Sequence, residues 1–205
     1  MESIVPIAFN YGRKPRTDVA ISELAKVYGE AQAEWEGNEA CKTLKQGLLV
    51  VENMPWVTKI VAFALGSVQE DSNPACPEHL KRRSCMQHAL METLTKVVEQ
   101  AQGAGGKVTQ YVQDPGYGSA DLELLRQLDV TPLEDPDGFI EIDDHNLVLS
   151  ISSNVPVKQV VADLQWPAVL IIEPIDLTRT ATDDVAEVEA PKMTKTLDGE
   201  DLYVA

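Results

Sequence analysis

Lys59-Ile60-Val61-Ala62-Phe63-Ala64-Leu65-Gly66-Ser67 is a near-continuous apolar run that breaks at a glycine and a hydroxyl residue. Such a run reads as a strand buried on both faces, as in a parallel sheet. The carboxyl end of a strand of this kind is where an open α/β sheet places its ligand crevice. Gly66, Ser67, Val68 and Gln69 are therefore the first residues to consider as a site.

Working outward, the pattern alternates between helix and strand. Toward the amino end, Thr17-Asp18 starts a helix whose apolar residues Ile21, Leu24, Ala25, Tyr28, Ala31 and Trp35 fall at three- and four-residue steps. Gly37-Asn38 stops it, and a second helix runs through Cys41, Leu44 and Leu48, weakened by Gly47. Toward the carboxyl end, a loop from Gln69 to Pro77 precedes a long helix from about Glu78, with Met86, Leu90, Leu94, Val97 and Val98 as its buried stripe. Gly103-Ala104-Gly105-Gly106 ends that helix. Lys107 to Val112 reads as the second strand, closing on Gln113-Asp114-Pro115-Gly116-Tyr117-Gly118. Ser119 can cap the next helix, where Asp121 and Glu123 suit the first turn and Leu122, Leu125 and Leu128 face inward.

Val130 to Leu133 reads as a third strand, followed by the turn Asp135-Pro136-Asp137-Gly138 and a further short strand at Phe139 to Ile142. Asn146 to Ser152 is a fourth strand, Val155 to Leu164 a short helix with Pro156 in its first turn, and Ala168 to Ile172 a fifth strand. This alternation predicts an α/β fold: a Rossmann-like, doubly wound, mostly parallel sheet. Residues 1–56 read as an N-terminal helical extension, 57–173 as the α/β domain and 174–205 as an acidic, Thr-rich tail suited to docking a partner.

Composition narrows the function. The 205 residues carry 33 acidic and 17 basic side chains, a formal net charge of −16. That balance argues against nucleic acid, since phosphate binding needs a surplus of Lys and Arg. The basic clusters at Arg13-Lys14-Pro15-Arg16 and Lys81-Arg82-Arg83 are short and read as solvated surface. No apolar run approaches the ~20 residues of a membrane span. Three cysteines, Cys41, Cys76 and Cys85, form no even disulfide framework, and no charged-then-apolar leader opens the chain. Together these point to a reduced, cytoplasmic protein, with a nuclear location also compatible.

Three short pieces recur together in one family: the first strand closing on Leu65-Gly66-Ser67, the segment Ser84-Cys85-Met86-Gln87-His88-Ala89, and the second strand closing on Asp114-Pro115. In this combination the chain resembles the sensitivity-to-red-light-reduced family, the SRR-like domain, over about Lys59 to Ile172. Ser152-Ser153-Asn154-Val155-Pro156-Val157 looks like the variant of its fungal members. The resemblance implies a Rossmann-like domain linked to light signalling and circadian regulation, without an assigned reaction. Many members carry Pro-His-Cys after the fourth strand. Ser153-Asn154-Val155 stands there in this chain, with neither imidazole nor thiol.

The candidate ligand-binding residues are Gly66, Ser67, Gln87, Asp114 and Asn154, with Ser67, His88, Asp114 and Tyr117 as the candidates for any catalysis. In a sheet of this winding Gly66, Ser67, Asp114 and Asn154 all follow strand carboxyl ends. Gly66 lets a ligand approach the backbone. Asp114 stands where nucleoside-binding folds place a ribose-binding acid, and Tyr117 can stack or donate a proton. Against this, Gly66 can serve a tight turn and Asp114 can cap local backbone. No G-x-G-x-x-G and no Walker lysine is present, so the sequence leaves the cofactor unknown. Gln87 lies beside the helix's core stripe, and His88 is a general base if it faces Asp114. Cys76, His79, Cys85 and His88 lie within thirteen residues, but the spacing is no standard zinc site; a loop thiol and helix-surface histidines account for it. His145, in an acidic turn, reads as surface, and Trp35 as part of a lid. The expected function is a regulatory protein that binds a small molecule. The alternative is a small tailoring or accessory enzyme of secondary metabolism using the same crevice, and a third reading docks a protein partner through the tail.

Overall fold

The computed structural model describes residues 19–51, 54–71, 76, 82–151, 153–172, 193–197 and 200–204. Two helices come first, α1 (Ile21–Gly37) and α2 (Glu39–Leu49). Asn38 separates them: its side chain accepts from the Ala40 amide at 2.9 Å and so caps α2. The α/β alternation follows, with β1 (Lys59–Phe63), the single turn α3 (Val68–Asp71), α4 (Arg83–Gln102), β2 (Thr109–Gln113), α5 (Ser119–Gln127) and β3 (Val130–Leu133). A short α6 (Asp137–Ile140), β4 (Asn146–Ser150), α7 (Val157–Leu164) and β5 (Val169–Ile172) complete it.

The five strands are all parallel, in the order β3-β2-β1-β4-β5. β1 pairs with β2 (Phe63 opposite Gln113) and with β4 (Phe63 opposite Ser150), so all three strands end level. The fold class read from the sequence is therefore the one observed. Beyond β5, where the sequence suggested no strand, β6 (Met193–Leu197) and β7 (Glu200–Val204) pair antiparallel and β7 joins the edge of β5. Residues 173–192, on which most of the tail reading falls, lie outside the described residues, as do the basic cluster at 13–16, Lys81 and His79.

Strand side chains alternate between two cores, as the two-residue period requires. Ile60, Ala62, Leu147, Leu149, Val169 and Ile171 face one side, where α4 supplies Leu90, Met91, Leu94, Val97 and Val98. Val61, Phe63, Val148, Leu170 and Ile172 face the other, against Val157 and Val161 of α7. A third cluster joins Leu24, Tyr28 and Ala31 of α1 to Val68, Cys85 and Leu124. The chain winds β1, β2 and β3 in one direction and then returns to place β4 beside β1. That reversal is the switch point at which open α/β sheets form their crevice.

Several local expectations differ from what is observed. Met86, expected in the buried stripe of α4, is only half-buried, and Met91 fills the core instead. Phe139–Ile142 is not a strand. Asp137–Ile140 is a helical turn, which stacks Phe139 on Phe63 at 4.5 Å between ring centroids and lets the Gly138 amide bond Gln113 Oε1 at 2.7 Å. α5 buries Leu124 and Leu125 rather than Leu122, and Gly118 rather than Ser119 is its cap residue. Trp35 is no lid: its indole donates to Thr93 Oγ1 of α4 at 2.9 Å and its ring packs on the main core.

Candidate functional site

Backbone geometry at the end of β1 sets the site. Ala64 and Gly66 both take positive φ, 58° and 78°, so the chain turns sharply while Leu65 enters the core. Gly66 is needed twice over. Its φ strains any L side chain, and a Cβ there would run into the Ser84 hydroxyl at the start of α4. The Ala64 amide reaches Gln113 O at 3.0 Å, extending the β1–β2 ladder one residue past the strand.

Three carboxylates lace the loops above the sheet. Asp114, one residue past β2, accepts from the Gly66 amide through Oδ2 at 2.7 Å and from the Gly116 amide through Oδ1 at 2.6 Å. Asp121, in the first turn of α5 and 1% exposed, accepts from Ser67 Oγ at 2.7 Å, the Gln69 amide at 2.9 Å and the Gly118 amide at 2.8 Å. Ser67 Oγ in turn accepts from the Glu70 amide at 3.2 Å. Asp71, ending α3, accepts from Ser84 Oγ at 3.1 Å and from the Cys85 amide at 3.0 Å, so it sits on the amino end of α4. Burial raises the Asp71 carboxyl above its ordinary range, against the pull of the Cys85 and Ser84 bonds.

His88 is 2% exposed, so the surface position expected for it is not observed. Its Nδ1 lies 2.7 Å from the Ser84 carbonyl, which can only accept. Nδ1 therefore carries the proton, and Nε2 accepts from the Tyr117 hydroxyl at 3.1 Å. Burial lowers the His88 pKa, opposed by the Ser84 bond and by the charges of Asp121, Asp114 and Glu92, which keeps the ring in this neutral tautomer. Burial, then Asp114 and Asp121, hold the Tyr117 phenol well above its ordinary value.

Of the residues singled out in the sequence, Gly66, Ser67, His88, Asp114 and Tyr117 lie in one interconnected group around the carboxyl ends of β1 and β2. His88 faces Tyr117 rather than Asp114. Gln87 is buried on α4 and, among the described residues, makes no hydrogen bond with the group. Asn154 is exposed in the loop after β4, also without such a bond. Cys85 is buried and Cys76 half-buried, and burial followed by the Asp71 charge raises the Cys85 thiol. Asp143, Asp144 and His145 bring their ligand atoms together at the opposite end of the sheet, in an exposed turn where His145 Nδ1 contacts Asp144 at 2.6 Å.

Sequence reasoning missed Asp71, Ser84 and the full role of Asp121. Asp121 carried a signal, an acid in a first helical turn. That signal is common, and its partner Ser67 lies 54 positions away.

An open parallel sheet reversed between β1 and β4, with polar loops at its carboxyl rim, defines a Rossmann-like α/β protein. The family follows from the sequence match: residues 40–200 fit the model of the SRR1 domain, and the chain belongs to that family. No curated protein and no solved structure matches the chain. Among the described residues no helix is long and apolar enough to cross a membrane.

Proposed function

We propose that this SRR1 domain protein binds a small molecule in the crevice at the carboxyl ends of β1, β2 and β4, and that binding serves a regulatory role. The observation that carries this reading is the bracing of two adjacent strand-end loops beside the switch point. Asp114 ties the Gly66 turn to the β2 loop, and Asp121 ties Ser67 to α5. Preorganised loops reduce the ordering cost of taking up a ligand. In this reading Gly66 and Ser67 form the floor, Asp114 and Tyr117 present polar atoms, and Asn154 supplies the opposite lip.

The alternative, a small tailoring or accessory enzyme using the same crevice, draws on the His88–Tyr117 pair. It is the weaker reading, because His88 is buried and its Nε2 is turned to the Tyr117 hydroxyl, a phenol that burial holds well above its ordinary value, so the pair supplies no readily ionised nucleophile. Native mass spectrometry of the freshly purified chain is the test. The expected result is a retained small-molecule mass that is lost in Asn154→Trp, which fills the lip from an exposed position and leaves the core untouched. A mass retained equally in that variant counts against the crevice.

A further inference from the structure

Dinucleotide folds hold phosphate with the free amides of the first strand–helix turn and the positive end of the helix that follows. In this chain several of those donors are spent internally. The Gly66 amide goes to Asp114, the Gln69 amide to Asp121 and the Glu70 amide to Ser67 Oγ. The Gly116 and Gly118 amides go to the same two carboxylates. Asp71 occupies the amino end of α4 through the Cys85 amide, and Asp121 occupies that of α5. Both positive helix ends beside the crevice thus already hold a carboxylate of the chain itself.

The remaining polar atoms point to the opposite preference. The Ser84 carbonyl fixes the His88 tautomer, so the Tyr117 proton is committed to Nε2 and the phenol oxygen keeps only lone pairs to offer. The Asp114 oxygens each take one amide and keep further lone pairs. Ser67 donates its proton to Asp121. Asp114 and Tyr117 thus offer acceptors, and the chain as a whole carries a net charge of −16.

We propose that the crevice selects an uncharged or cationic ligand rich in hydrogen-bond donors, such as a polyol or an amine, and rejects phosphorylated molecules. This rests on the crevice reading above and adds the polarity of its ligand.

The test is an amide NMR titration of the full chain with matched probes: ribose and ribose 5-phosphate, ethanolamine and phosphoethanolamine, adenosine and AMP. The expected result is that the unphosphorylated member of at least one pair shifts the Gly66, Gly116 and Gly118 amides and saturates at a concentration at least about tenfold lower than its phosphorylated partner. That ratio corresponds to about 1.4 kcal/mol. Tyr117→Phe, which keeps the ring and loses the acceptor oxygen, should weaken the bound probe about three- to tenfold while the spectrum stays dispersed. Tighter binding of the phosphorylated members at the same amides overturns the proposed polarity and leaves the crevice standing as a site. Shifts elsewhere, or none with any pair, overturn the crevice reading and this proposal with it.

Discussion

Gly66 joins two constraints in one residue. Its φ of 78° belongs to the left-handed region, and its missing Cβ leaves room for the Ser84 hydroxyl. Gly66→Ala is expected to cost about 2 kcal/mol in urea unfolding, from left-handed strain plus overlap. Gly66→Ala with Ser84→Ala should recover only the overlap part. Full recovery in the double variant would show that φ carries no penalty there. His88 gives a pH signature. Its folded pKa lies below the ordinary 6.5, so the unfolded chain takes up a proton first as pH falls. The stability tied to the neutral ring is complete above about 6.5 and is lost as pH falls toward the folded value. The urea midpoint should therefore fall more for wild type than for His88→Gln between about pH 7.5 and about pH 5.5. The comparison with the variant is needed because Asp71, raised by burial, acts in the opposite sense: its contribution is lost as pH rises through its folded value. Equal falls in the two proteins would show that His88 is not what titrates.

Among elements, α1 most changes the picture drawn from sequence. It lies before the matched span, which starts at residue 40, yet Leu24 and Ala31 are fully buried against α3, α4 and α5. Glu92 of α4 accepts from Tyr28 Oη at 2.5 Å and Gln32 Nε2 at 2.6 Å, and Arg82 pairs with Glu30 and Glu34 at 3.2 and 2.9 Å. Burial, then the Glu92 charge, raises the Tyr28 phenol and keeps it a donor. If α1 folds with the sheet, Leu24→Ala should cost about 3 kcal/mol, as truncation of a buried leucine does. A frayed appendage would show less than about 0.5 kcal/mol, the range of surface changes. The same element explains why Trp35 was misread: its place at the end of an amphipathic helix was legible, but that the indole reaches Thr93, 58 positions away, was not.

For the whole molecule, the strand–helix alternation and the double-sided apolar runs determined the α/β class, the parallel sheet and the position of the strand ends that carry Gly66, Ser67 and Asp114. These follow from local composition, because a strand buried on both faces has no room for polar residues. The sequence also determined the excess of negative charge that any ligand meets. Tertiary structure alone decided which polar groups meet: Asp114 with Gly66, Asp121 with Ser67, Asp71 with the start of α4, and His88 with Tyr117. It also decided that His88 is buried and α1 is packed. The physical reason is range. Hydrophobic period and turn chemistry are written into a few neighbouring residues, whereas a carboxylate's partner is whichever amide or hydroxyl the crossovers bring within about 3 Å.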